Sequence, residues 1–117
     1  INSHLSAGSV IVLNDFGIIT REFWSKIETY KVTTFSGVPF VFQMLKKLQY
    51  KRINTDSIRY LTQAGGKLDE ETLKYFEQEC YESGQSFFVM YGQTEASPRI
   101  SYVPPDKLKN KIGSIGI

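Results

Sequence analysis

The sequence holds one cysteine, Cys80, so no disulfide can form within the chain, and nothing in its cysteine usage points to secretion. It has no apolar run near the length of a membrane span and no signal-peptide pattern. Internal repeats and low-complexity segments are absent as well. No charge of one sign dominates: 14 basic residues against 12 acidic ones leave a formal charge of +2, too balanced for the concentrated basic stripe of a nucleic-acid binder. From these absences a soluble, cytoplasmic protein is expected, with no membrane span and no nucleic-acid partner.

What is present suits a folded domain. A chain of 117 residues with 41% hydrophobic and 14% aromatic content can form one compact core but not comfortably two. At this size, roughly two-thirds of the unfolded surface is buried on folding. The chain opens on Ile1 rather than Met and closes on Gly113-Ser114-Ile115-Gly116-Ile117 with neither helix nor polar tail. Residues 1–117 are therefore expected to be a single α/β subdomain cut from something longer.

Short apolar segments alternate with amphipathic helical ones, the pattern of an α/β fold with a mostly parallel sheet flanked by helices. Ser9 to Leu13 is a run rich in β-branched residues, suited to a strand covered on both faces. Thr20 is placed to cap a helix through Tyr30, in which Phe23, Ile27 and Tyr30 recur at helical spacing and Trp24 widens the apolar face. Val32 to Phe35 reads as a second strand. Pro39 then opens a helix, where its missing N–H is no loss, with Val41, Met44, Leu45 and Leu48 as the inward stripe.

A third strand is expected over Ile58 to Thr62, ending at Ala64-Gly65-Gly66. Asp69 caps the next helix, its first turn carries Glu70 and Glu71, and Leu73, Phe76 and Cys80 face inward. Ser83-Gly84 ends it. A fourth strand covers Ser86 to Met90, and a last one, Arg99 to Val103, is short and terminal, open to antiparallel pairing.

Open parallel sheets bind ligands beyond the carboxyl ends of their strands. Two glycine-containing loops leave successive strands at that edge: Ala64-Gly65-Gly66-Lys67 and Tyr91-Gly92-Gln93-Thr94-Glu95. Glycine lets backbone approach a ligand closely. The first loop alone says little, because ordinary strand-to-helix turns use Gly-Gly. The second combines a planar ring, a close-approach glycine, a hydroxyl and a carboxylate within five positions. Tyr91 can lie against adenine, Thr94 can donate to an α-phosphate, and Glu95 can hold Mg²⁺. A carboxylate beside phosphates needs an intervening cation.

Tyr91-Gly92-Gln93-Thr94-Glu95 resembles the Tyr-Gly-x-Thr-Glu motif of the adenylate-forming superfamily, which includes acyl-CoA synthetases, beetle luciferases and adenylation domains of nonribosomal synthetases. Gly37-Val38-Pro39 is similar to that family's Val-Pro helix start. Ile58 to Leu68 is similar to its Leu-Arg-x-x-x-x-Gly-Gly segment, and Lys111 to Gly116 to its Gly-Ser-x-Gly. The likeness spans nearly the whole chain and implies a flavodoxin-like βαβ subdomain of the large N-terminal portion. Many relatives have Gly-Gly-Ala-Pro-Leu where this chain has Gly65-Gly66-Lys67-Leu68, one residue shorter and charged.

The resemblance implies an ATP-dependent, AMP-forming ligase that joins a carboxylic acid to AMP as an acyl-adenylate and then passes the acyl group to a thiol. CoA is the implied acceptor, because Gln at position 93 resembles acyl-CoA ligases; a carrier-protein thiol is the alternative. Gly65, Gly66 and Lys67 would border adenine and the acyl tunnel. Tyr91, Gly92 and Gln93 would line the nucleotide, Thr94 would meet phosphate, and Glu95 would bind Mg²⁺. Phe35, Ser36 and Gly37 are candidates for the acyl pocket. The family's phosphate loop, ribose-binding aspartate motif and catalytic lid lysine are not among these residues, so the isolated chain is expected to be inactive.

Other residues carry plainer readings. His4, the single histidine, invites a role as general base but suits a structural place in an apolar first helix. Cys80 and Trp24 read as core. Lys46, Lys47, Lys51 and Arg52 read as a solvated helix end, with phosphate or membrane contact as the alternative. Lys67 either borders the pocket or points to solvent. Ser97 and Arg99 follow the motif closely and can touch phosphate or acyl groups or simply pack. A non-catalytic flavodoxin-like binding module is the competing reading of the whole chain.

Overall fold

The computed structural model describes residues 2–96 and 99–117. Helix α1 spans Asn2–Ser6 and α2 Arg21–Thr29; strand β1 spans Thr34–Gly37. Helix α3 runs Pro39–Lys47, β2 Tyr60–Gln63, α4 Glu70–Ser83, β3 Ser86–Tyr91 and β4 Ser101–Val103. Three short 3₁₀ segments, Tyr50–Arg52, Thr94–Ala96 and Pro105–Asn110, link them.

The strands lie in chain order β1-β2-β3-β4, the first three parallel and the last antiparallel to β3. This is the mostly parallel α/β sheet expected from the alternating pattern, with its short antiparallel strand at the end. Phe35, Leu61 and Phe87 stand side by side in register, so their side chains share one face. The helices cover that face. Phe23 of α2 meets Phe35 edge-on at 5.9 Å, while Phe42 of α3 and Phe76 of α4 lie 5.2 and 5.7 Å from Phe87. Phe42 and Phe76 touch each other at 5.0 Å and, with Leu45 and Leu61, are fully buried. Truncating a ring at such a position costs about 3–5 kcal/mol.

The helix ends follow local chemistry. Thr20 Oγ1 accepts from the Phe23 amide at 3.4 Å, and Asp69 accepts from the Thr72 amide at 2.8 Å. Pro39 occupies the first turn of α3, and Gly84 closes α4 in a left-handed conformation at φ 71°. Lys46 at the end of α3 reaches Glu71 at the start of α4, 2.6 Å away, and Gln43 reaches Asp69 at 3.1 Å. These contacts orient the two helices, although a surface ion pair contributes at most about 1 kcal/mol.

Several expectations change. Residues 9–13 form no strand: Val10 is 89% and Leu13 81% exposed. β-Branched content favours extended backbone, but a strand also needs a partner for its N–H and C=O groups, and no described segment pairs with this one. Strand β1 starts at Thr34 rather than Val32 because the Val32 amide is used in leaving α2, donating to Ile27 at 3.0 Å. Ile58 likewise closes a turn on Thr55 at 2.9 Å before β2 begins at Tyr60. Strand β4 is trimmed to Ser101–Val103. Tyr30 and Leu48, expected inside, are helix caps and exposed, while Phe42 takes the central position on α3.

Candidate functional site

The two glycine loops meet. Gly65, Gly66, Lys67, Tyr91 and Gly92 line one cavity of about 310 Å³ at the carboxyl edge of β2 and β3. Gln63, Leu68, Leu73, Val89, Met90 and the segment Gly113-Ser114-Ile115 complete its wall. The position is dictated by topology. Parallel strands β2 and β3 end side by side, with Gln63 opposite Val89, so the loops that follow them leave at the same rim.

The first loop is held from below and behind. Gln63 is 1% exposed, and its Nε2 donates to the Gly66 carbonyl at 2.8 Å. Gly65 has φ +83° and Gly66 +157°; a Cβ on either would stand 3.2 Å from Val38 Cγ1 or Pro39 Cγ respectively. Glycine is needed here for the chain reversal and for close packing on the start of α3. The Gly37 carbonyl accepts from the Ala64 amide at 3.2 Å, tying the end of β1 to the same loop.

The second loop leaves β3 at Tyr91, which is 38% exposed at the cavity rim. The Ile100 amide donates to the Tyr91 carbonyl at 2.9 Å, fixing the returning chain against it. Thr94 and Glu95 sit in the one-turn segment Thr94–Ala96, closed by the Ala96 amide on the Gln93 carbonyl at 3.2 Å. Gln93, Thr94 and Glu95 are all exposed and stand outside the cavity lining.

Phe35, Ser36 and Gly37 also stand outside the lining. Phe35 packs against α2, Ser36 Oγ lies 2.7 Å from Thr62 Oγ1, and a Cβ on Gly37 would meet Val41 Cγ1 at 2.8 Å. Ser97 lies outside the described residues. Lys67 is exposed while contributing to the cavity wall.

Gln63 and the Gly113–Ile115 wall were not assigned to the site from sequence. Gln63 carried a signal: a polar residue at an inward-facing strand position immediately before the glycine loop. The terminal wall is carried by long-range pairing, since Ser101 Oγ donates to Ile115 O at 2.5 Å and Tyr102 exchanges backbone bonds with Ile117 at 3.3 and 3.1 Å.

Away from the cavity, Cys80 is buried in the core, and burial, helped by the nearby Glu79 charge, pushes its thiol up to about 12. A thiol so disposed is not a nucleophile. Asp69 is held below the ordinary carboxylate range by the Thr72 amide and then by Gln43. No described helix is long and apolar enough to cross a membrane.

The whole chain, residues 1–117, matches the family described as AMP-binding enzyme. It belongs to that family. Among curated relatives, the chain is 31% identical over 101 residues to the marinolic acid–CoA ligase of Pseudoalteromonas sp. (strain SANK 73390), covering 85% of the chain and 14% of the ligase. It is 34% identical over 76 residues to the mitochondrial acyl-coenzyme A synthetase ACSM4 of Homo sapiens, covering 65% of the chain and 13% of that enzyme. Among solved structures, the o-succinylbenzoate CoA synthetase of Bacillus subtilis with its acyl-adenylate intermediate superposes with a TM-score of 0.77 at 28% identity, over 98% of this chain and 22% of that one. The luciferase-like enzyme of the nonluminescent mealworm Zophobas morio shares the fold, with a TM-score of 0.76 at 23% identity over 97% of this chain and 27% of its own. The chain thus spans about a seventh of the curated ligases and under a quarter of the synthetase.

Proposed function

We propose that this chain supplies part of the adenylate-binding site of an ATP-dependent, AMP-forming acid–thiol ligase of the acyl-CoA synthetase type. The observation that carries the reading is the convergence of Gly65-Gly66-Lys67 and Tyr91-Gly92 on one cavity at the sheet's carboxyl edge. A relative that is a CoA ligase and a similar structure holding an acyl-adenylate support the same chemistry.

In this reading the cavity receives AMP, with the Tyr91 ring against adenine and the glycine loop admitting the nucleotide by close backbone approach. Thr94 donates to the α-phosphate as charge develops there, a contribution of positioning and electrostatics. A substrate carboxylate oxygen attacks the α-phosphorus, pyrophosphate leaves, and CoA sulfur then takes the acyl group while AMP departs.

Glu95 fits the metal role in one specific form. The described residues contain no cluster of three His, Cys, Asp or Glu, so an all-protein cage is not its setting. An exposed single carboxylate suits Mg²⁺, which is commonly held by one or two carboxylates, with phosphates and water filling the shell. Bound Mg²⁺ would neutralise phosphate charge.

The test is ATP–pyrophosphate exchange by the complete enzyme with a panel of carboxylates. Glu95→Gln should depress exchange strongly when Mg²⁺ is limiting, and residues 1–117 alone should give none. Unchanged exchange in the variant removes Glu95 from the site, and turnover by the isolated chain overturns its assignment as a partial site.

A further inference from the structure

Among the described residues, Lys67 supplies the only amine to the wall of the cavity between the two glycine loops. Its backbone is held on both sides. The Gly66 carbonyl before it accepts from Gln63, and Leu68 after it is buried in the core. The Lys67 side chain is exposed and makes no ion pair among the described residues. The carboxylates that follow it are engaged elsewhere: Asp69 accepts from the Thr72 amide and from Gln43, and Glu70 lies 3.8 Å from Lys74.

In the ligase reading this cavity receives the nucleotide of an acyl-adenylate, a mixed anhydride whose acyl carbon reacts with any nucleophile in reach. CoA sulfur is one such nucleophile, and the unprotonated amine of Lys67 is another. Confinement favours that amine over lysines that meet adenylate only from solution, because two groups held in one site need no bimolecular encounter.

We propose that Lys67 is a self-acylation site, taking the acyl group from the bound adenylate when CoA is scarce. The inference rests on the ligase reading and adds a second acyl acceptor, within the chain itself. The Lys67 Nζ lone pair attacks the acyl carbon and forms an amide C–N bond. The bond from that carbon to the phosphate oxygen breaks, AMP leaves with its electrons, and the proton lost from nitrogen goes to water.

Lys47 and Lys51 are internal controls. Both are exposed and neither lines the cavity. Helix α3 starts at Pro39, packed beside Gly66, and carries the chain away to the opposite edge of the sheet, where Tyr50 bonds Gln85 just before β3.

The experiment incubates the complete enzyme with ATP, Mg²⁺ and one acid at a time, from acetate to palmitate and benzoate, without CoA. Peptide mass spectrometry then reads acyl occupancy at each lysine, and ATP–pyrophosphate exchange is measured alongside. With an acid that supports exchange, Lys67 should be acylated at least about 10-fold more than Lys47 or Lys51. Added CoA should suppress this label, whereas a free amine scavenger, glycinamide, should remove the label at Lys47 and Lys51 and spare Lys67. Lys67→Arg should bring total incorporation down to the level of the control lysines. Exchange without acylation of Lys67, or acylation equal at all three lysines, overturns the proposal and leaves the ligase reading intact. Scavenging of the Lys67 label in step with the others also overturns it, because the acyl donor is then free adenylate. Absence of exchange with every acid rejects both readings.

Discussion

Gln63 Nε2 donates to the Gly66 carbonyl at 2.8 Å from a side chain that is 1% exposed. One buried amide at the end of β2 therefore sets the shape of the glycine loop that walls the cavity. Gln63→Leu keeps most of the volume but leaves the Gly66 carbonyl without its donor. The expected result is a stability loss of about 1 kcal/mol together with weaker AMP binding by the complete enzyme. Thermal unfolding and a nucleotide titration check the two parts, and unaltered AMP affinity would separate Gln63 from the site.

Gly116 presses on the backbone of Tyr102: a Cβ there would overlap the Tyr102 carbonyl, and φ is +98°. Gly116→Ala should push the terminal segment off β4, lower stability by more than about 1 kcal/mol and displace the Gly113–Ile115 wall. Gly17 is the control, since a Cβ there meets nothing within 4 Å. Gly17→Ala should stay within about 0.5 kcal/mol. Equal unfolding midpoints for the two variants would contradict the account.

Asp69 caps α4 through the Thr72 amide and also accepts from Gln43. Asp69→Ala should cost about 1 kcal/mol. Its carboxyl is depressed in the folded state, so its stabilisation is fully present above the ordinary value of 3.8 and is lost as pH falls through the lower folded value. The difference in stability between wild type and Asp69→Ala should accordingly shrink in acid. A difference independent of pH would mean that the ionised cap is not what stabilises the helix.

Cys80 is buried with its thiol pushed up to about 12. At about pH 8 it should resist a thiol-specific reagent while the chain is folded and react at once in denaturant. Tyr50, raised to about 12 by burial, should likewise stay protonated in an ultraviolet titration until well above the ordinary phenol range. Rapid thiol modification of the folded protein would show that this part of the core opens.

How much of this was legible beforehand depended on the range of the interactions. Thr20, Pro39, Asp69 and Gly84 announce helix ends because a cap needs a few neighbouring residues, and each takes the place its chemistry assigns. The alternation of strand and helix, and the motif Tyr91-Gly92-Gln93-Thr94-Glu95, were likewise readable and led to the family. Residues 9–13 could not be judged from composition, because a strand exists only when another segment accepts its hydrogen bonds.

The sequence by itself determined the α/β class, the caps and the two glycine loops, since these follow from periodicity and local backbone preference. Tertiary structure alone decided that the loops share one cavity and that Gln63 braces the first of them. It also decided that Gly116 seats the terminal wall against Tyr102. Those relations arise from parallel strands ending at a common rim, which brings together residues far apart in the chain.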